Sequence, residues 1–105
     1  MEQIVIIYVT FPNEESARHI GSTLLEEKLI ACFNYFPMTS MYWWEEKIEE
    51  ANEYIGLMKT TESFLTLCKE KIASLHPYDV PCVLSKNWTS NEPYFDWVGS
   101  VLKNK

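Results

Sequence analysis

The chain has 105 residues, the length of one domain, and aliphatic, aromatic and sulfur-bearing residues make up 47% of it. Fifteen acids against nine bases give a formal charge of −6. That excludes the basic face a nucleic-acid binder needs, and no basic, aromatic RNA-recognition strand occurs either. Cys32, Cys68 and Cys82 stand far apart, with no C-x-x-C pair and no secretion signal before them. They read as free thiols in a reducing cytoplasm.

The N-terminal run Ile4-Val-Ile-Ile-Tyr-Val9 is β-prone and too short to span a membrane. It reads as a strand buried on both faces. Pro12 ends it, and Asn13 is placed to cap a helix whose first turn holds Glu14 and Glu15. Ala17, Ile20, Leu24 and Leu25 carry that helix to about Lys28. A second strand runs over Ile30–Phe36. Pro37 interrupts it, implying a bulge or an edge position, and Ser40–Trp44 resumes it. The acidic stretch Glu45–Glu53 leads into Tyr54–Met58, so two long strands joined near Glu45–Lys47 form an extended hairpin. The hairpin tip is too far out to pack on its own core.

Phe64, Cys68, Ile72 and Leu75 repeat at helical spacing, and Pro77 stops that second helix. Pro81–Leu84 reads as a last strand. Tyr94, Trp97, Val98, Val101 and Leu102 mark a short C-terminal helix, with Asn91 at its cap and Pro93 in its first turn. The order β-α-β-β-α-β plus a helix is an α+β, ferredoxin-like sandwich over one domain, residues 1–105. Two helices cover one sheet face, which leaves the other exposed in a monomer. With four tryptophans and 14% aromatic residues besides, oligomerisation is expected.

Several short segments fall in a telling order. They are Val9-Thr10 with Pro12, Leu29-Ile-Ala-Cys32 with Asn34, and Ser40-Met-Tyr42 with Trp44-Glu45, Lys47 and Glu49. Lys59-Thr60, Leu75-His-Pro-Tyr78 with Val80-Pro81, and Asn91 with Tyr94 and Trp97 complete the set. Together they make the chain resemble the CutA, or divalent-cation tolerance, proteins over nearly its whole length. The resemblance implies a homotrimer of ferredoxin-like subunits whose long hairpins wrap onto neighbours, with a fold similar to that of PII signalling proteins. It also implies a link to tolerance of divalent metals, copper especially, and no established enzymatic reaction. Two positions depart from the pattern. Val9 stands where some bacterial members have a cysteine discussed as part of a copper site, and Val9 cannot bind a metal. Glu46 stands where the hairpin turn often has glycine, so the turn is built differently or is strained by roughly 1 kcal/mol.

His76 is the candidate metal ligand, for copper or another divalent ion, because imidazole suits both copper and zinc. The simpler reading makes it a polar residue at a helix C-terminus. A structural zinc site needs about four ligands at recognisable spacing, and the sequence has none. Cys32 and Cys68 read as core residues. Cys82, after Pro81, is less defined. Glu45, Glu49 and Glu53 share a strand face but are spread too far for a tight cage, so the acidic stretch reads as solvated surface. Lys59, Tyr78, Tyr94 and Trp97 could line a cleft between subunits for a small anion or ring, although such aromatics also simply close interfaces. Trp43 and Trp44 point to opposite strand faces, one towards the subunit's own core and the other towards a neighbour. His19 is expected to be exposed and without a role. Nothing specifies a reaction: there is no nucleophile elbow and no phosphate-binding loop. The expectation is a cytoplasmic, homotrimeric, non-enzymatic module linked to divalent-metal tolerance. The alternatives are a PII-like sensor of a small molecule and a purely structural or partner-binding trimer.

Overall fold

The computed structural model describes residues 2–102. The elements are β1 (Gln3–Phe11), α1 (Glu14–Glu26), β2 (Cys32–Trp44), β3 (Lys47–Thr60), α2 (Leu65–Leu75), β4 (Val83–Thr89) and α3 (Glu92–Val101), with one 3-10 turn at Glu62–Phe64 leading into α2. The sheet order is β2-β3-β1-β4, and every neighbouring pair is antiparallel. This is the ferredoxin-like arrangement, with β1 between β3 and β4. Flanked on both sides, β1 buries Ile4 to Ile7, Val9 and Phe11, which is why its sequence is a continuous apolar run rather than an alternation.

Strand alternation sends Gly56, Met58 and Thr60 towards α1 and α2. The Phe33 ring from β2 fills the space between Gly21 of α1 and Gly56 of β3, and a Cβ at either glycine would collide with it. The α1 start is capped as its sequence predicts: Asn13 Oδ1 accepts from the Ser16 N–H at 2.8 Å. Its end is a Schellman turn. Lys28 N–H donates to the Leu25 carbonyl and Leu29 N–H to the Leu24 carbonyl, both at 3.0 Å. Lys28 takes φ 58° there, in the position glycine usually holds.

Several expectations resolve differently in detail. Pro37 pairs with Tyr54 in a β2–β3 register that runs unbroken from Cys32 to Trp44. There is no bulge, and β2 is an edge strand. The last strand starts after Pro81 and Cys82 and continues to Thr89, because β1 offers it a paired edge from Val9 back to Gln3. Asn91 occupies the α3 N-cap position, but its side chain makes no capping hydrogen bond. The sheet face away from α1 and α2 is only partly open. Lys59 alternates to that side and meets Tyr94 of α3, and Ile4 and Ile6 are buried. Phe36, Leu84 and Trp88 remain exposed.

The hairpin turn joins Trp44 to Lys47 through Glu45 (φ 49°) and Glu46 (φ 65°). Positive φ at both central residues is the type I′ geometry that matches strand twist and favours Asn-Gly. The turn is therefore strained, at about 1 kcal/mol or more for each glutamate. From Met38–Glu53 outward the hairpin is a two-stranded ribbon, because β1 pairs with β3 only from Tyr54 onward. Seven residues of strand carry it roughly 23 Å from the body. The molecule measures 45 × 25 × 21 Å, with a radius of gyration of 14.5 Å against about 13 Å for a compact chain of this length.

Candidate functional site

His76 is the C-cap of α2. Its extended backbone (φ −72°, ψ 137°) follows from Pro77, and its own N–H donates to the Ile72 carbonyl at 2.9 Å. That conformation turns the ring inward until it is only 8% exposed. Nε2 lies 2.7 Å from the Thr10 carbonyl oxygen, and Nδ1 accepts the Tyr78 backbone N–H at 3.1 Å. A carbonyl can only accept and an amide N–H can only donate, so the ring is the neutral Nε2–H tautomer. Phe11 stacks on it at 5.3 Å and 17°, and Tyr78 leans on it at 4.9 Å.

Tyr78 extends this set outward. Its hydroxyl donates to Glu53 Oε2 at 3.1 Å, at the root of the hairpin. Burial first, and then the bond to Glu53, push the phenol up to about 12. Burial and the Glu53 charge also raise the Cys82 thiol. Sequence reasoning missed Glu53, which reads as one more solvated acid in an acidic run, and the Thr10 carbonyl, which carries no side-chain signal.

Lys59, Tyr94 and Trp97 come together on the other sheet face. The Lys59 ammonium sits 5.6 Å from the Tyr94 ring centroid, and Tyr94 and Trp97 are 5.5 Å apart. Tyr78 does not join them within the protomer. It lies with His76 and Glu53, and Glu53 is six positions along β3 from Lys59, roughly 20 Å in a strand. An open groove of about 530 Å³ lies at the hairpin root, between Asn13 and Glu14 on one side and Met38, Asn52 and Tyr54 on the other.

The thiols divide as the pattern predicts for Cys68 and less fully for Cys32. Cys68 is buried and donates to the Leu29 carbonyl at 3.3 Å, beside the Thr60 hydroxyl, which donates to the same oxygen at 2.7 Å. Burial pushes this thiol up to about 11. Cys32 is half-buried. Neither tryptophan at the ribbon end faces the protomer's own core: Trp43 is 72% and Trp44 61% exposed. Among the described residues no three His, Cys, Asp or Glu side chains converge as a metal-holding group. No helix among them is long and apolar enough to cross a membrane.

The model of the CutA1 divalent ion tolerance protein family matches residues 5–101. The chain belongs to that family. Over 96 residues it is 45% identical to the divalent-cation tolerance protein CutA of Pyrococcus horikoshii, covering 90% of this chain and 94% of that one. Over 101 residues it is 44% identical to the Thermococcus kodakarensis protein of the same name, covering 95% and 97%. The crystal structure of CutA1 from Oryza sativa superposes with a TM-score of 0.92 at 32% identity, covering 98% of this chain and 96% of that one. The family is named for tolerance of divalent ions, not for a reaction. Within this CutA1 fold Val9, at the position of interest in the first strand, is fully buried in the core.

Proposed function

We propose that this CutA1-family chain works as a homotrimer in the cytoplasm, as a non-enzymatic binding or signalling module in tolerance of divalent cations, copper foremost. The observation that carries the assembly is the hairpin. Met41, Trp43, Trp44 and Ile48 are each at least 60% exposed on a ribbon whose outer residues, 41–50, are all exposed. Two-stranded hairpins are marginal in water when left alone, and exposed apolar area of this kind marks a contact surface. Sedimentation equilibrium at micromolar concentration is expected to give three times the 12.4 kDa chain mass. A monomer overturns the reading.

A second reading draws on Lys59. Among the described residues the one ion pair is Lys71–Glu27 at 3.0 Å, and the Lys59 ammonium faces a ring rather than a carboxylate. That arrangement suits a small anionic or aromatic ligand at a subunit boundary, the mode of a PII-like sensor. A thermal-shift panel of metal ions and anionic metabolites separates the readings, because a ligand at a hundred times its Kd stabilises the fold by about 2.7 kcal/mol. Stabilisation by cations supports the first and by metabolites the second, while a silent panel leaves a structural or partner-binding trimer.

A further inference from the structure

The histidine singled out in the sequence is heavily engaged at the junction of body and hairpin. Coordination needs a lone pair on one ring nitrogen. Nε2 carries its proton towards the Thr10 carbonyl, 2.7 Å away. Removing that proton would set two lone pairs against each other. The Nδ1 lone pair accepts the Tyr78 amide at 3.1 Å, and a metal there would displace that amide from a part-buried site. Phe11 lies against the ring at 5.3 Å, and Tyr78 packs on it as well. Position 9 is a buried valine and the Cys68 thiol is turned to the Leu29 carbonyl, and although Cys82 lies within the field of Glu53, no three His, Cys, Asp or Glu side chains among the described residues converge on a metal. The donor set therefore does not fit a metal.

The same contacts give the ring another task. Thr10 lies one residue before Phe11, where β1 stops pairing with β3, His76 ends α2, and Tyr78 reaches Glu53, which pairs with Met38 where the free ribbon begins. We infer that His76 is a positioning residue: the neutral ring fixes the 76–78 turn and, through Tyr78 and Glu53, the root of the hairpin, and cation tolerance in this chain does not run through coordination at His76.

Nitrogen-15 spectra of the wild-type protein test both halves. The expected signature is a protonated Nε2 and a pyridine-like Nδ1 on His76, neither of which moves when one equivalent of zinc is added. A zinc-induced shift of either nitrogen overturns the proposal. Copper titration is the second arm. His76→Asn keeps an acceptor near Nδ1, and His76→Gln keeps a donor near Nε2. Both are expected to bind copper like the wild type, and a loss of about tenfold or more in both overturns the proposal. For positioning, hydrogen exchange at residues 38, 39 and 52–54 is expected to rise in Tyr78→Phe and in His76→Ala, with partial restoration in His76→Asn and unchanged protection along β1. Wild-type exchange at the hairpin root in Tyr78→Phe overturns that half, and Tyr78→Phe keeps the test valid if His76→Ala does not fold.

Discussion

The body and the hairpin are made from the same two strands but follow opposite rules. From Cys32 to Phe36 and from Tyr54 to Thr60, β2 and β3 lie in a four-stranded sheet, with Met58 and Thr60 completely buried and Phe33 locked between two glycines. From Met38 to Glu53 the ladder continues in register, but residues 41–50 are all exposed. The body is held by burial. The ribbon has backbone hydrogen bonds, cross-strand pairs such as Trp43–Ile48, and a strained turn. A segment that gains so little from its own protomer fits the proposed trimer, in which its exposed aromatic residues would meet a neighbouring subunit.

The largest test of that contrast pairs two aromatic truncations. Phe11→Ala opens a cavity in the body and is expected to cost about 3–5 kcal/mol in urea unfolding. Trp43→Ala is expected to leave the isolated protomer within about 0.5 kcal/mol. It should weaken assembly by about 2 kcal/mol, about thirtyfold in Kd, read by sedimentation at several concentrations. Equal losses of protomer stability from the two would mean that the ribbon packs on its own body.

An intermediate effect concerns the buried thiol. Burial raises Cys68 from 9.0 to about 11 in the folded chain. The unfolded chain therefore releases this proton first, and the contribution is fully present below about pH 9 and lost as the pH rises towards 11. The alkaline limb of stability is expected to be shallower in Cys68→Ala. An unchanged limb would show that the thiol does not titrate with the fold.

The smallest effects come from the left-handed residues. Lys28→Gly in the body is expected to raise global stability by about 1 kcal/mol. Replacing Glu45-Glu46 by Asn-Gly relieves comparable strain at the tip. Because the ribbon can open locally, that gain is expected in hydrogen exchange of residues 41–50 more than in the urea midpoint. A full gain in the midpoint would show that the tip unfolds only with the body.

Much of the fold was legible because its signals are local. The apolar run in β1, the Asn13 cap, the spacing of Phe64, Cys68 and Ile72, and the break at Pro77 each report on a few neighbouring residues. The site was less legible. The sequence brings His76 forward as the candidate ligand, yet nothing local shows that Thr10 and Tyr78 take both ring nitrogens. Within the protomer Tyr78 lies with His76 and Glu53, apart from Lys59, Tyr94 and Trp97, so the cleft expected of these four would have to form between subunits, for which the chain carries no local signal.

The sequence alone determined the order of elements, the ferredoxin-like class, the projecting hairpin and the membership of a divalent-cation tolerance family, because periodicity, turn chemistry and ordered short segments are properties of the chain itself. Tertiary structure alone decided the strain at Glu45 and Glu46, the partial covering of the open sheet face by α3, the exposure of both tryptophans, and the tautomer of His76. Each of these depends on groups far apart in the chain or on how strands twist and pair, and it is only when β1, α2 and the hairpin root meet that one imidazole acquires two partners of opposite polarity.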